Sequence, residues 1–348
     1  MSMSPRISVN IVTYNSMDHL PDLLRSLFAQ TSVSFWVRII DNGSCDQVAT
    51  FIRETYPQVT FLRNARNLGW GAAHNQGMTY TLEKWGDNER EHQYILVLDP
   101  QMILTPSCLE TMVACLEEDL KRGSVTGKYL RAYGEHVQDE ALRNIVCSDH
   151  LESAGIRLQR NGRMVIRGQG EMDEGQYENA QEVFAVDGHC CLYRASALLD
   201  TKEEGGFFDA DFFSGLESLD LAWRLKARGW TCWYESQVKA YRYQGIYRTG
   251  SEKEKKEERR YLRQHLFFYQ MRNYAFLLYK NLSWGDVLRN SYRYPWQLSR
   301  LFLGVLRHPS HFFLYLAIFR AFPRLWKKRR AIQAHRTSSF FEIFRHNV

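Results

Sequence analysis

Four strand-like runs of this chain end, in order, on side chains suited to holding a nucleotide. Thr13, Tyr14 and Asn15 close "ISVNIVTYN"; Asp41, Asn42 and Gly43 close "FWVRIID"; "NLGWGAAHNQG" follows "VTFLR"; Asp99 closes "YILVLD". Amides and carboxylates bond to base edges and ribose hydroxyls, and glycines admit the close backbone approach that a phosphate needs. Further along, "GLESLDLAWRL" sets Glu217 and Asp220 three residues apart, a spacing that puts two carboxylates on one helix face. Each feature alone has an ordinary explanation. Asp-Asn-Gly is a turn tripeptide, Ser214 and Glu217 have capping-box spacing, and an acid in a first helical turn suits the helix dipole. Four such strand ends in succession are harder to assign to turns.

The elements that must position these groups are legible in the apolar pattern. Strand runs alternate with helical periods over the first hundred residues, the signature of βαβ units and a mostly parallel sheet. Leu20, Leu23, Leu24, Leu27 and Phe28 repeat at helical spacing, "SCDQ" from Ser44 has capping-box form for a second helix, and a third is expected over 72–85. Right-handed crossovers would bring all four strand ends to one edge, where open α/β sheets bind ligands. "GIRLQRNGRMVIRG" reads as a hairpin turning at Asn161-Gly162. The fold class is therefore α/β: a mixed, mostly parallel Rossmann-like sheet flanked by helices, with a helical extension at the C-terminus.

Composition narrows the class. A content of 45% hydrophobic residues argues against disorder, and seven cysteines without a CxxC spacing indicate neither a disulfide framework nor a zinc site. The start "MSMSPRISVNIVTYN" lacks the basic and apolar segments of a signal peptide, so a cytoplasmic protein is expected. From Ser251 onward there are 20 Lys and Arg against 6 Asp and Glu, leaving 25 against 33 before it, so an acidic body carries a basic tail. The longest uncharged apolar run there, Phe312 to Phe319, falls far short of the ~20 residues that a membrane span requires. Aromatic faces beside "KKRR" suit helices lying on an anionic membrane surface, or packing on the body or on a second copy in a homo-oligomer. "SEKEKKEERR" nearly cancels its own charge, and no nucleic-acid role is expected from it.

The chain resembles the inverting family 2 glycosyltransferases of the GT-A fold, and within them the rhamnosyltransferase-like members. The resemblance rests on "VNIVTYNS", "IIDNGSCD", "NLGWGAAHNQG", "LVLDPQMIL", "SAGIRLQRNGRMVIRGQGEMDEGQY", "VDGHCCLYRASAL", "FFDADFFSGLESLDLAWRLKARGW" and "MRNYAFLLYKNL", which occur in family order between about residues 6 and 280. It implies that Thr13, Tyr14 and Asn15 line the base, that Asp41 bonds to base or ribose, and that Asn67, Gly69, Trp70 and Asn75 approach the nucleotide and sugar. Asp99 and Gln101 would face the diphosphate.

Two departures from the family pattern bear on mechanism. Members usually hold a divalent cation, Mg2+ or Mn2+, with two carboxylates and a histidine. Here Asp99 survives as the metal ligand, Gln101 takes the second acidic position, and "VKAYRYQG" has Tyr241, Arg242 and Tyr243 where the histidine is expected. Either Asp99 suffices with substrate phosphates and water, or Arg242 and Arg248 neutralise the diphosphate. The family's EDxDL reads Glu217, Ser218, Leu219, Asp220, Leu221, so a serine replaces the usual base and the task falls to Glu217 or Asp220. Asp187 is a third candidate, and it and His189 would line the acceptor side.

The resulting expectation is a catalytic domain over 1–250 and a helical extension over 251–348. It would move rhamnose or a similar sugar from a dTDP or UDP donor to a saccharide or lipid-linked acceptor in cell-surface polysaccharide synthesis, at the cytoplasmic face of a membrane. The competing expectation is a non-catalytic member that binds a nucleotide sugar or a partner without turnover.

Overall fold

The apolar runs form the expected strands, and their burial shows why. β4 (Tyr94–Leu98) is buried throughout: Tyr94, Leu96 and Leu98 enter one apolar layer while Ile95 and Val97 enter the other. A continuous apolar strand of this kind is the mark of a sheet covered on both faces. The computed structural model describes residues 5–31, 33–86, 90–136, 143–159, 164–244, 269–283, 285 and 312–338.

In chain order the other elements are β1 (Ile7–Thr13), α1 (Leu20–Phe28), β2 (Phe35–Asp41), α2 (Val48–Thr55), β3 (Thr60–Arg63) and α3 (Trp70–Trp85) before β4. After it come β5 (Met102–Leu104), α4 (Cys108–Glu118), β6 (Arg122–His136), β7 (Arg143–Ser153), β8 (Ile156–Leu158), β9 (Met164–Ile166) and β10 (Gln181–Val183). β11 (Cys190–Arg194), α5 (Ala195–Asp200), α6 (Glu217–Ala227) and β12 (Thr231–Tyr243) complete the body. Helical residues 269–281 (α7) and α8 (Phe312–Ala334) follow.

The main sheet runs β10-β12-β6-β11-β4-β1-β2-β3, with β5 on β12 and β7 on β6. β1 is parallel to both β2 and β4, and β2 to β3; β11 runs antiparallel between β4 and β6. One face is covered by α1, α2 and α4, and the other by α3, α5 and α6. Leu20, Leu23, Leu24 and Leu27 of α1 are fully buried, each contributing about 1.5–3 kcal/mol, whereas Phe28 turns outward.

Two local expectations are corrected. α2 has no capping box at Ser44: its hydroxyl donates to Asp41, and the Asp46 carboxylate accepts from the Val48 N–H at 3.3 Å instead. α3 begins at Trp70 rather than Ala72. The hairpin is present as β8 paired antiparallel with β9; its turn at Asn161-Gly162 lies outside the described residues.

The C-terminal helices pack on the body. Phe276, Leu277 and Leu282, with Ala321 and Leu325 of α8, belong to the same apolar layer as α3 and α6. Among the described residues no helix is long and apolar enough to cross a membrane.

Candidate active site

The strand register assembles the site. Thr13 pairs with Asp41 and Asp41 with Arg63, so the ends of β1, β2 and β3 lie level; β4 joins them through Ile11 opposite Leu98. The next N–H, that of Asp99, donates to the His189 carbonyl at 2.7 Å, which ties the end of β4 to the start of β11. A cavity of about 460 Å³ opens at this edge. Tyr14, Asn15, Asn67, Gly69, Trp70, Asp99, Gln101 and Arg242 all line it.

Thr13, Asp41 and Asn75 do not line it. Asp41 is buried; its carboxylate accepts from the Ser44 N–H at 3.1 Å and pairs with Arg63 at 3.3 Å, fastening the turn after β2. The Thr13 hydroxyl points to the same carboxylate at 3.5 Å. Asn75 binds the backbone of the 205–208 segment, donating to the Phe208 carbonyl at 2.7 Å and accepting from the Phe208 N–H at 2.8 Å. These three stand in the walls, Asn75 spent on backbone groups, while the buried Asp41 Oδ2 meets the Arg63 charge but has no hydrogen-bond partner. Arg248 lies outside the described residues.

Asn42, named at the end of the second strand, lines the cavity as well. Asn42 donates to Asn67 at 3.0 Å and to the Gly69 carbonyl at 3.2 Å while accepting from the Leu68 N–H, so it knots the glycine-rich loop to β2. Asp18, His19, Phe213 and Ser214 also reach the cavity. Gly69 has φ 90°, and a Cβ there would lie 2.6 Å from the Phe213 carbonyl, so only glycine allows the two loops to close on each other.

At the diphosphate end expected for Asp99, four groups converge. An Asp99 oxygen accepts from the Gln101 N–H at 2.9 Å. Gln101 Oε1 accepts from Arg242 Nη2 at 3.3 Å, and Arg242 Nη1 donates to Glu152 at 2.9 Å. Arg131 also pairs with Glu152, at 3.1 Å, so one carboxylate is shared by two guanidinium groups and positive charge is left over. Asp187 accepts from His189 Nδ1. Burial opposes charge on the imidazole, but the Asp187 carboxylate outweighs it and holds the His189 pKa above its ordinary value.

A divalent cation is only partly provided for. Asp99 supplies a carboxylate, but the Gln101 oxygen is engaged by Arg242, so these residues fit Mg2+ or Mn2+ only where donor phosphates and water complete the shell. Three other carboxylates, of Glu203, Asp209 and Asp220, converge elsewhere to within 4.8 Å. The Lys280 ammonium already stands among them, 3.2 Å from Glu203 and 3.0 Å from Asp220, with Asp209 at 2.5 Å. That cluster is an ion-pair core.

The two expected bases part company here. Asp220 is fully buried and bound to Arg224 at 3.0 Å, to Lys280 and to the Asn281 amide at 2.9 Å. Burial alone would raise its pKa, but Lys280 and Arg224 reverse that and leave it below the usual value, so Asp220 is a poor base. Glu217 is the opposite case. Burial pushes its pKa up to about 7, with Asp209 and Asp220 adding to the rise, and its Oε1 has no hydrogen-bond partner. Nor does it form a capping box with Ser214: α6 is preceded by Leu216 at φ 74°, with no side-chain cap. Its Cγ sits 3.3 Å from where a Cβ on Gly71 would be, one residue after Trp70 of the cavity wall, and Glu217 itself is buried and does not line the cavity. Ser218 faces Gly188, next to Asp187 and His189.

Comparison with known proteins agrees with this geometry. The model of the family described as "Glycosyl transferase family 2" matches residues 8–201, more than half of the chain. An N-acetylglucosaminyl-diphospho-decaprenol L-rhamnosyltransferase of Mycobacterium tuberculosis is 26% identical over 236 residues, 67% of this chain and 74% of that protein. Among solved structures, GalNAc-T7 with UDP, GalNAc and Mn2+ superposes with a TM-score of 0.57 at 14% identity, over 79% of this chain and 47% of the other. The mannosyltransferase PcManGT of Pyrobaculum calidifontis, in complex with GDP-Man and Mn2+, gives 0.51 at 14% identity over 96% and 86%. The chain therefore belongs to glycosyl transferase family 2, a glycosyltransferase built on the GT-A fold.

Proposed function

We propose that this glycosyltransferase moves rhamnose or a closely related sugar from a dTDP or UDP donor to a saccharide or lipid-linked acceptor, with inversion, in polysaccharide synthesis. The observation that carries the reading is the cavity at the β1–β4 edge, lined by Asp99 and Arg242, with Glu217, its pKa raised to about 7, packed against Gly71 next to the lining residue Trp70. The choice of sugar and acceptor is supported by the mycobacterial relative's name and by the motifs of the rhamnosyltransferase-like members.

In this reading Tyr14 and Asn15 receive the nucleoside, and Asn67, Gly69 and Trp70 approach the ribose and sugar. Arg242 meets the diphosphate with a guanidinium fork that matches phosphate oxygens and stays charged. Mg2+ or Mn2+, when present, would be held by Asp99 and would add positive charge at the same place. Glu217 takes the proton of the acceptor hydroxyl; that oxygen bonds to the anomeric carbon as its bond to the diphosphate oxygen breaks, on the opposite face. A base with a pKa near the working pH is best matched to this task. Asp187 and His189, beside Ser218, would face the acceptor.

The C-terminal helix fits work at a membrane surface. Phe319, Phe322 and Trp326 of α8 are exposed at i, i+3 and i+7, with exposed Arg320 and Arg330 nearby, a pattern suited to anionic headgroups.

The test is a panel of nucleoside-diphosphate sugars offered with polyprenyl-diphosphate-linked saccharides and analysed by mass spectrometry. A product heavier by one deoxyhexose from a dTDP or UDP donor is expected. Donor binding without product or nucleotide release, across the panel, would instead favour the non-catalytic reading.

A further inference from the structure

The segment entering the Glu217 helix is bent in an unusual way. Phe213 has φ 62°, Gly215 88° and Leu216 74°, so three of four consecutive residues are left-handed and two of them carry side chains. Each such non-glycine residue costs roughly 1–2 kcal/mol, and the conformation persists only where surroundings impose it.

One residue of α7, far along the chain, makes the most contacts to this segment. Asn273 of α7 is fully buried, and its amide nitrogen lies 2.8 Å from the Phe212 carbonyl, 2.9 Å from that of Ser214 and 2.8 Å from that of Gly215. The neighbouring Arg272 donates to the Asp211 and Phe212 carbonyls, both at 2.8 Å. From the other side, the Phe213 carbonyl accepts from the Trp70 N–H at 2.9 Å. The loop is thus clamped between the glycine-rich wall of the donor cavity and one asparagine, and its next residue is Glu217. α7 itself is held by Phe276, Leu277 and Lys280, spaced three, four and seven residues after Asn273 on the same face.

We propose that Asn273 is a positioning residue for catalysis: by gathering three carbonyls of the 212–215 loop it fixes Glu217 against Gly71, so the C-terminal segment completes the active site. The inference rests on Glu217 being the base. An asparagine suits the position because its NH2 donates to carbonyls that no backbone N–H can reach, while leucine of similar size offers no donor and aspartate presents only acceptors. Besides Asp209 and Asp220 on the body side, the charged groups acting at Glu217 include Arg272 of α7.

The test compares Asn273→Leu and Asn273→Asp with wild type and with Asn281→Ala, a change on the same helix that reaches Asp220 and not the loop. The expected result for Asn273→Leu is a folded protein whose kcat falls about 100-fold, as for a misplaced catalytic group, with donor KM nearly unchanged. Its acid-side pH–rate midpoint should move down from about 7 as the freed carboxyl gains water. Asn273→Asp should lose at least as much, and Asn281→Ala should lower thermal stability without moving the midpoint. Wild-type kcat in Asn273→Leu, or a loss matched by the unfolded fraction with the midpoint unmoved, would overturn the proposal. A 13C titration of the Glu217 carboxyl separates the two claims. If Glu217→Gln keeps full activity, the base assignment falls; a Glu217 midpoint that Asn273→Leu leaves in place removes the clamp regardless.

Discussion

Gln101 Oε1 accepts a hydrogen bond from Arg242 Nη2 at 3.3 Å, so the amide at 101 touches a residue of the Tyr241–Tyr243 stretch that stands where the sequence reading expected a histidine. A carboxylate at 101 would neutralise the guanidinium; an amide orients it and leaves its charge for a ligand.

Arg242→Ala should lower the turnover rate about 100-fold at saturating Mg2+, the usual cost of removing one group that stabilises developing charge. Glu152 keeps Arg131 as partner, so the fold should survive. Arg242→Lys should recover only part, since an ammonium lacks the planar fork. Gln101→Asp should make activity more dependent on metal. Initial rates with Mg2+ and with EDTA check all three.

Glu217→Gln should abolish most activity and stabilise the protein, with a defined pH dependence. Below about pH 4.5 the carboxyl is neutral in both folded and unfolded chains. As pH rises toward 7 the unfolded chain ionises while the buried acid stays protonated, so wild type loses stability through that window. The loss approaches about 3 kcal/mol above pH 7, at about 1.4 kcal/mol per unit of pKa difference. Urea denaturation should show the variant and wild type equal near pH 4 and the variant ahead at pH 8. Wild-type activity itself should climb as pH passes through about 7.

Lys280→Met should cost about 3–5 kcal/mol, because it leaves three buried or half-buried carboxylates without their central cation. Metal should not rescue the variant's stability if the cluster is an ion-pair core, and a chemical melt with and without Mn2+ reads this directly.

Binding to anionic lipid vesicles should be measurable by co-sedimentation and should weaken when Phe319 and Trp326 are changed to serine. Neutral vesicles should bind less, by about 1 kcal/mol for each basic residue near the surface.

The parallel half of the fold was legible because β1 to β4 carry their own burial pattern, and the cavity was legible because each strand end kept its polar cluster. What escaped was decided by contacts between distant segments. Asn75 looks like a ligand in sequence, yet its amide is taken by the 205–208 backbone. Asp220 and Glu217 are three residues apart and chemically alike; Arg224 on the same helix and Lys280, 60 residues after Asp220, separate their roles. The left-handed turn at Phe213 has no local signal, since Asn273 and Trp70 impose it from outside.

The central claim is that the cavity at the β1–β4 edge holds the nucleotide diphosphate of a sugar donor. A crystal structure with dTDP or UDP bound tests it most directly. The account predicts the base beside Tyr14 and the diphosphate within hydrogen-bonding distance of Arg242, with or without a cation at Asp99. A nucleotide seated elsewhere, or one whose phosphates avoid both Arg242 and Asp99, would contradict it.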